Sequence, residues 1–260
     1  MKVDRPKRQG YEPRGVAGYR GLLTKRQIAE LQDVIGLQFR NLALLEEAVT
    51  HRSFLNEYRV RAGEQPLRHN ELLEFVGDSV LELAATDKLY RMFPGETEGK
   101  LTQYRTALVN GTRLAETATE LSLDKFLLLS SGEARDTGRA RRYILACTFE
   151  AIVGAIYLDR GFGVATLFLE EVLFKKIDPI VMQRLYLNPK GHFQNLSQEQ
   201  VRITPHYVLI QESGLHHNKH FKMGVYLGER LVAEGEGQSK GEAEVEAARA
   251  ALEKEYSIKM

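Results

Sequence analysis

The stretch "HNELLEFVGDSVLEL", His69 to Leu83, reads as an apolar helix that nevertheless carries Glu71, Glu74 and Asp78. At about 100° per residue these three carboxylates fall within an arc of roughly 60° on one helix face. Val76, Val80, Leu81 and Leu83 lie elsewhere around the same helix, which is therefore expected to be mostly buried with one acidic stripe. Like charges on one stripe repel, and in a partly buried site at least one protonates unless a cation is present. A divalent metal is the simplest remedy. Spacing alone also allows an exposed acidic face, or carboxylates paired with Arg.

A second apolar helix, "ILACTFEAIVGAIYLDRG" from Ile144 to Gly161, sets Cys147 and Glu150 three residues apart. Phe149, Ile152, Val153 and Ile156 form its core face. If this helix packs on the first, Glu150 joins the stripe and makes a set of oxygen ligands suited to Mg²⁺. Such a centre could activate water for attack on a phosphodiester and neutralise the leaving oxygen.

Composition sets the frame for these helices. The chain has 260 residues, 43% of them hydrophobic, enough for one large domain or two ordinary ones. A single Cys rules out an intramolecular disulfide and any zinc site assembled from several Cys, which fits a reducing compartment. No window approaches 18 consecutive apolar residues, and the first residues lack the apolar middle of a signal peptide. A cytoplasmic protein with no membrane association is expected. The net charge of +1 says little about partners, but its distribution says more. Lys2, Arg5, Lys7, Arg8, Arg14, Arg20, Lys25 and Arg26 face only Asp4 and Glu12 in residues 1–26, a basic arm that either adds phosphate contacts or is simply solvated.

From Lys25 to Arg184 the apolar spacing is helical nearly throughout. Thr24 and Asn41 stand where helix caps are needed, "NLALLEEAVTHRSF" reads as helix, and "NEYRVRAGEQPLRHN" reads as a loop. Pro94 and Gly95 end the helix that opens near His69. After "LYLNPKG" the texture changes: "PHYVLIQESG", "HFKMGVYLGER" and "RLVAEGEG" alternate like three short strands. A helix near "GHFQNLSQEQ" precedes them, and "SKGEAEVEAARAALEKEY" follows, with Ala243, Ala247, Ala250 and Ala251 along one side. The expected fold is mainly α, an all-helical domain over residues 27–185 followed by a small α-β-β-β-α domain over 186–257.

"HNELLEFVGDSVL" resembles the signature helix of the ribonuclease III family, N-E-x-L-E-F-x-G-D. The resemblance extends to "LEEAVTHRSF", "LTQYRTALVNGTRLAE" and "ILACTFEAIVGAIYLDRG", and covers about Leu31 to Gly163 in the family's order. It implies that Glu74, Asp78 and Glu150 take metal-binding positions, Glu71 an accessory acidic position, and Phe75 the position of an aromatic used in dimer packing. As an alternative, Phe75 is an ordinary core residue. Cys147 departs from the pattern, because the family usually has Asp there. Mg²⁺ prefers oxygen to sulfur, so one anionic ligand is lost. Three outcomes stay open: an enzyme that tolerates the change, one shifted toward Mn²⁺, or a catalytically impaired RNA-binding or ribosome-associated protein that keeps the fold.

The C-terminal part, Asn188 to Tyr256, resembles a double-stranded RNA-binding domain. "NPKGHFQNLSQ" looks like its first helix, with Gln194 and Asn195 where family members meet the minor groove. "SGLHHNKHF" looks like its first interstrand loop, with His217 as the RNA-contacting His. Lys240 opens the last helix where phosphates are met, while Gly241 and Leu215 replace an expected Lys and Pro. Acidic residues outnumber Lys and Arg here, so RNA binding by this domain alone should be weak, with a shallow salt slope. Taken together, the resemblance implies a homodimeric endoribonuclease that cleaves double-stranded RNA. It also implies use of Mg²⁺, with Mn²⁺ as substitute, products with 5′-phosphates and short 3′ overhangs, and a role in ribosomal RNA and other RNA processing.

Overall fold

The computed structural model of the chain describes residues 22–58, 67–184, 186–214 and 219–258. Most of the basic arm lies outside the described residues, and so does His217. The chain forms two compact units. One comprises residues up to Leu101 and Leu108–Lys175; the other comprises Thr102–Ala107 and the residues from Lys176 onward.

The first unit is helical, and its helices start and stop for local reasons. Helix α1 (Lys25–Ile35) begins in a capping box between Thr24 and Gln27 and ends at Gly36, whose φ of 72° a side chain would resist. Asn41 caps α2 (Leu42–Val49) by accepting from the Ala43 amide. Periodicity predicts helix throughout "NLALLEEAVTHRSF", but the structure breaks it into two. Thr50 is extended and forms a parallel bridge with Leu128, and His51 then caps α3 (Arg52–Glu57) through Nδ1. Main-chain bonds from Leu128 to Val49 and from His51 to Leu128 replace the helical ones at the break.

Helices α4 (Glu71–Met92), α5 (Glu98–Leu108), whose residues Thr102–Ala107 count with the other unit, α6 (Gly111–Glu120), α7 (Arg139–Arg160) and α8 (Phe162–Val172) follow. Helix α7 touches α2, α4, α6 and α8, and from Ile144 to Ile156 every residue except Glu150 is buried. A helix apolar all round belongs in the middle of a core. Asp159 fixes its far end by accepting from the Arg40 and Asn41 amides at 2.9 and 2.8 Å, ahead of α2. Lys88 of α4 reaches Glu170 of α8 at 2.7 Å.

The crossing of α4 and α7 is set by two glycines. A Cβ on Gly77 would stand 1.8 Å from the Glu150 carbonyl oxygen, and one on Gly154 would stand 2.2 Å from the Leu73 carbonyl oxygen. The two backbones are therefore in direct contact, which only glycine permits. The opposite side of α4 departs from expectation. Leu83, expected to pack inside, is 58% exposed, and Leu72, Phe75 and Tyr90 are exposed with it, Phe75 at 73%. The sequence pattern marks these positions as apolar but does not say that a neighbour within the chain covers them.

The second unit contains α9 (Ile177–Met182), α10 (Pro189–Val201), strands β1 (His206–Ser213), β2 (His220–Leu227) and β3 (Arg230–Gly237), and α11 (Lys240–Tyr256). The strands form an antiparallel sheet in the order β1-β2-β3. Ser239 caps α11 through the Glu242 amide, and α11 lies on β2 and β3 over a core of Phe193, Val225, Leu227, Val232 and Leu252. Its buried alanines are Ala243, Ala247, Ala248 and Ala251; Ala250 is only partly covered. The architecture is the expected one: an all-helical domain followed by a small α+β domain. Among the described residues no helix is long and apolar enough to cross a membrane.

Candidate active site

The glycine crossing aligns Glu74 and Asp78 of α4 with Cys147 and Glu150 of α7. One carboxylate oxygen each from Glu74 and Glu150 and the Cys147 Sγ lie within 4.8 Å of one another. Cys147 is buried, Glu74 and Glu150 are half-buried, and Asp78 is exposed at the rim. All four line one cleft of about 410 Å³, together with His51, Arg52, Asn70, Glu71, Phe75, Tyr143 and Ile144. Glu71 lies apart from the tight group. Its carboxylate faces the Arg52 guanidinium at 3.4 Å and His69 Nδ1 at 3.8 Å.

Electrostatic strain in the cluster falls on α7. Burial, reinforced by Asp78 and Glu74, pushes the Glu150 carboxyl up from 4.5 to about 7. The stripe on α4 is thus the cause of the repulsion, while the helix opposite takes the proton. Burial pushes the Cys147 thiol up to about 12, against a hydrogen bond from Tyr143 that favours the thiolate. Burial also lowers His51, which shares the cleft. The sequence reading passed over Tyr143, His51 and Arg52. Tyr143 stands one turn ahead of Cys147 on α7, a spacing that could have marked it.

The raised Glu150 has a measurable consequence without metal. Its folded-state pKa of about 7 exceeds the unfolded value of 4.5, so its contribution to stability is full below 4.5 and is lost as pH rises through 7. Thermal unfolding of chelator-treated protein should therefore show this loss between about pH 4.5 and 8, and a divalent cation should restore stability at the upper end. A cation-independent, flat profile would show that the carboxylates do not repel one another as placed.

The donor set fits a divalent cation. Two carboxylates converge from different helices, a third stands at the rim, and their mutual repulsion is what such an ion relieves. The fit to Mg²⁺ is incomplete at Cys147, where sulfur replaces oxygen.

In the second unit Gln194 and Asn195 are exposed on α10, and Lys240 is exposed at the first position of α11. Much of the remaining positive charge is engaged by carboxylates. Lys190 pairs with Glu244, Lys219 with Glu212, Lys222 with Glu234, Arg230 with Glu255, and Arg249 with Glu246.

Comparison with known proteins agrees with this architecture. Residues 41–177 match a family model described as Ribonuclease-III-like, and residues 189–255 match the double-stranded RNA binding motif. That pairing defines the class, an endoribonuclease of double-stranded RNA. Ribonuclease 3 of Bdellovibrio bacteriovorus is 41% identical over 230 residues, covering 87% of this chain and 95% of that protein. Ribonuclease 3 of Carboxydothermus hydrogenoformans is 39% identical over 231 residues, covering 89% and 97%. The nuclease domain of ribonuclease III from Campylobacter jejuni shares 35% identity with a TM-score of 0.50, covering 57% of this chain and 95% of that one. The chain belongs to the ribonuclease III family.

Proposed function

We propose that this endoribonuclease cuts both strands of duplex RNA by metal-dependent phosphodiester hydrolysis, leaving 5′-phosphates and short 3′ overhangs, in the processing of ribosomal RNA precursors and other transcripts in the cytoplasm. The observation that carries the reading is the convergence of Glu74 and Glu150 from two helices held in backbone contact. Residues 27–185 form the catalytic domain and 186–257 the RNA-binding domain, with residues 1–26 as a basic arm.

In this reading Glu74, Asp78 and Glu150 hold Mg²⁺, or Mn²⁺ in its place. When bound, such an ion activates water and stabilises charge at the phosphodiester. Glu150, whose carboxyl burial and its neighbours push up to about 7, changes charge with occupancy of the site. Glu71 orients ligands or water from the position in which Arg52 holds it. Gln194, Asn195, His217 and Lys240 contact the duplex, reading A-form shape and 2′-hydroxyls across its minor groove.

Phe75, exposed beside the cleft, anchors a homodimer. With Leu72, Leu83 and Tyr90 it gives α4 an uncovered apolar side, and such patches mark interaction sites. The Campylobacter jejuni nuclease domain has a region involved in dimer formation.

The engaged cations of the second domain support weak binding. That domain alone should bind duplex RNA with a log–log salt slope equivalent to only about two or three phosphate contacts. Tight binding at high salt would overturn this.

The primary test is cleavage of a long, perfectly paired RNA with Mg²⁺ or Mn²⁺ against a chelator control. Metal-dependent shortening to discrete duplexes is expected. Binding without cleavage in either ion would favour the second reading, in which Cys147 has silenced the site and the protein acts by binding RNA.

A further inference from the structure

The cluster's most unusual donor is also one of its most closely placed. An ion seated between Glu74 and Glu150 meets the Cys147 Sγ, because all three donor atoms lie within 4.8 Å of one another. Cys147 and Glu150 are one helical turn apart on α7, so they present sulfur and oxygen on the same face. The contact of Gly77 and Gly154 fixes the distance to Glu74, so the helices have little freedom to draw the carboxylates away from the sulfur. Of the other carboxylates, Glu71 is turned to Arg52, and Asp78 stands at the rim, outside the three donors that lie within 4.8 Å of one another. Thiolate favours Zn²⁺ and related ions, whereas Mg²⁺ takes oxygen and keeps its water.

We infer that Cys147 is itself a ligand, and that Glu74, Cys147 and Glu150 form a mixed thiolate–carboxylate centre that takes Co²⁺ or Zn²⁺ in preference to Mg²⁺. This rests on the reading of the cluster as a metal centre and adds which class of ion it selects. Binding releases the thiol proton to solvent and leaves sulfur at its original oxidation level. Zn²⁺ at this centre displaces Mg²⁺ and so acts as a brake on cleavage supported by Mg²⁺.

The chain has one Cys, so any thiolate-to-cobalt charge-transfer band from the pure protein reports Cys147 alone. The test is a Co²⁺ titration of the full-length, chelator-treated protein without RNA, followed by near-ultraviolet absorption. A strong band is expected in the unmodified protein and none in Cys147→Ser. Equimolar Zn²⁺ should bleach it, and roughly a hundredfold excess of Mg²⁺ should not. Cys147→Asp should lose the band and reverse the preference toward Mg²⁺.

Should the variants fold poorly, alkylation of the unmodified protein gives the same answer. Zn²⁺ should slow reaction of Cys147 by about tenfold or more while Mg²⁺ leaves it unchanged. Co²⁺ uptake by equilibrium dialysis with no near-ultraviolet band, or equal alkylation rates with the two ions, would overturn the assignment of Cys147 and leave a carboxylate centre. No Co²⁺ uptake at all would overturn the metal-centre reading as well.

Discussion

Glu150→Gln should abolish duplex cleavage, by roughly 10³-fold in single-turnover rate, while leaving RNA binding within about twofold. The amide keeps the volume of the carboxyl but can neither carry its charge nor ligate a cation as an anion. The same substitution should make the metal-free protein more stable above pH 7, by about 1 to 2 kcal/mol once partial solvation of the site is allowed for. Glu150 is charged there against Asp78 and Glu74, and a neutral residue removes that repulsion. Opposite signs in activity and stability distinguish this site from a structural carboxylate, whose loss would lower both. The measurements are cleavage of paired RNA and thermal melts at pH 5 and pH 8 with chelator. Unchanged cleavage would remove Glu150 from the centre, and a lower melting temperature at pH 8 would show that it is held by favourable partners.

Gly154→Ala, like Gly77→Ala, should be among the most damaging single-methyl changes in the catalytic unit. Its Cβ would stand 2.2 Å from the Leu73 carbonyl oxygen and 3.0 Å from the Gly77 amide, both backbone atoms that no rotamer can move. The helices must separate by about 1 Å, at a cost of about 3 kcal/mol or more. Separation also pulls Glu74 away from Glu150, and displacement of that size in an active site costs about 10²-fold in rate. Any protein that still folds should therefore bind metal poorly. Gly163→Ala is the matched control. It lies in α8, nothing would be within 4 Å of its Cβ, and the change should be neutral or stabilising by up to about 1 kcal/mol. Urea denaturation of both variants checks the pair, and equal midpoints would refute the close crossing.

The sequence showed much of this arrangement and hid a definite part of it. Helical spacing located α4 and α7, alternation located the three strands, and Thr24 and Asn41 were readable as caps because their chemistry is local. The break at Thr50 was not readable, since it depends on Leu128, far along the chain. Nor was the turning of Glu71 toward Arg52, which periodicity places on the acidic stripe but tertiary structure assigns to an ion pair. Leu83 shows the same limit from the apolar side: its spacing fits a core, yet the side chain is exposed. The glycines at 77 and 154 carried no signal by themselves, because their meaning is a contact between two helices that the sequence lists separately.

That separation bears on how the protein is made. Glu74 and Glu150 are 76 positions apart, and the face that holds them exists only after both helices have been synthesised and have met. A ribosome delivers α4 several seconds before α7 at ordinary elongation rates of about 5 to 20 residues per second. During that interval the nascent chain carries an acidic helix with no counterpart. On the proposed reading the metal centre comes into being only once the segment through Arg160 has emerged and packed, so the order of synthesis itself times its assembly.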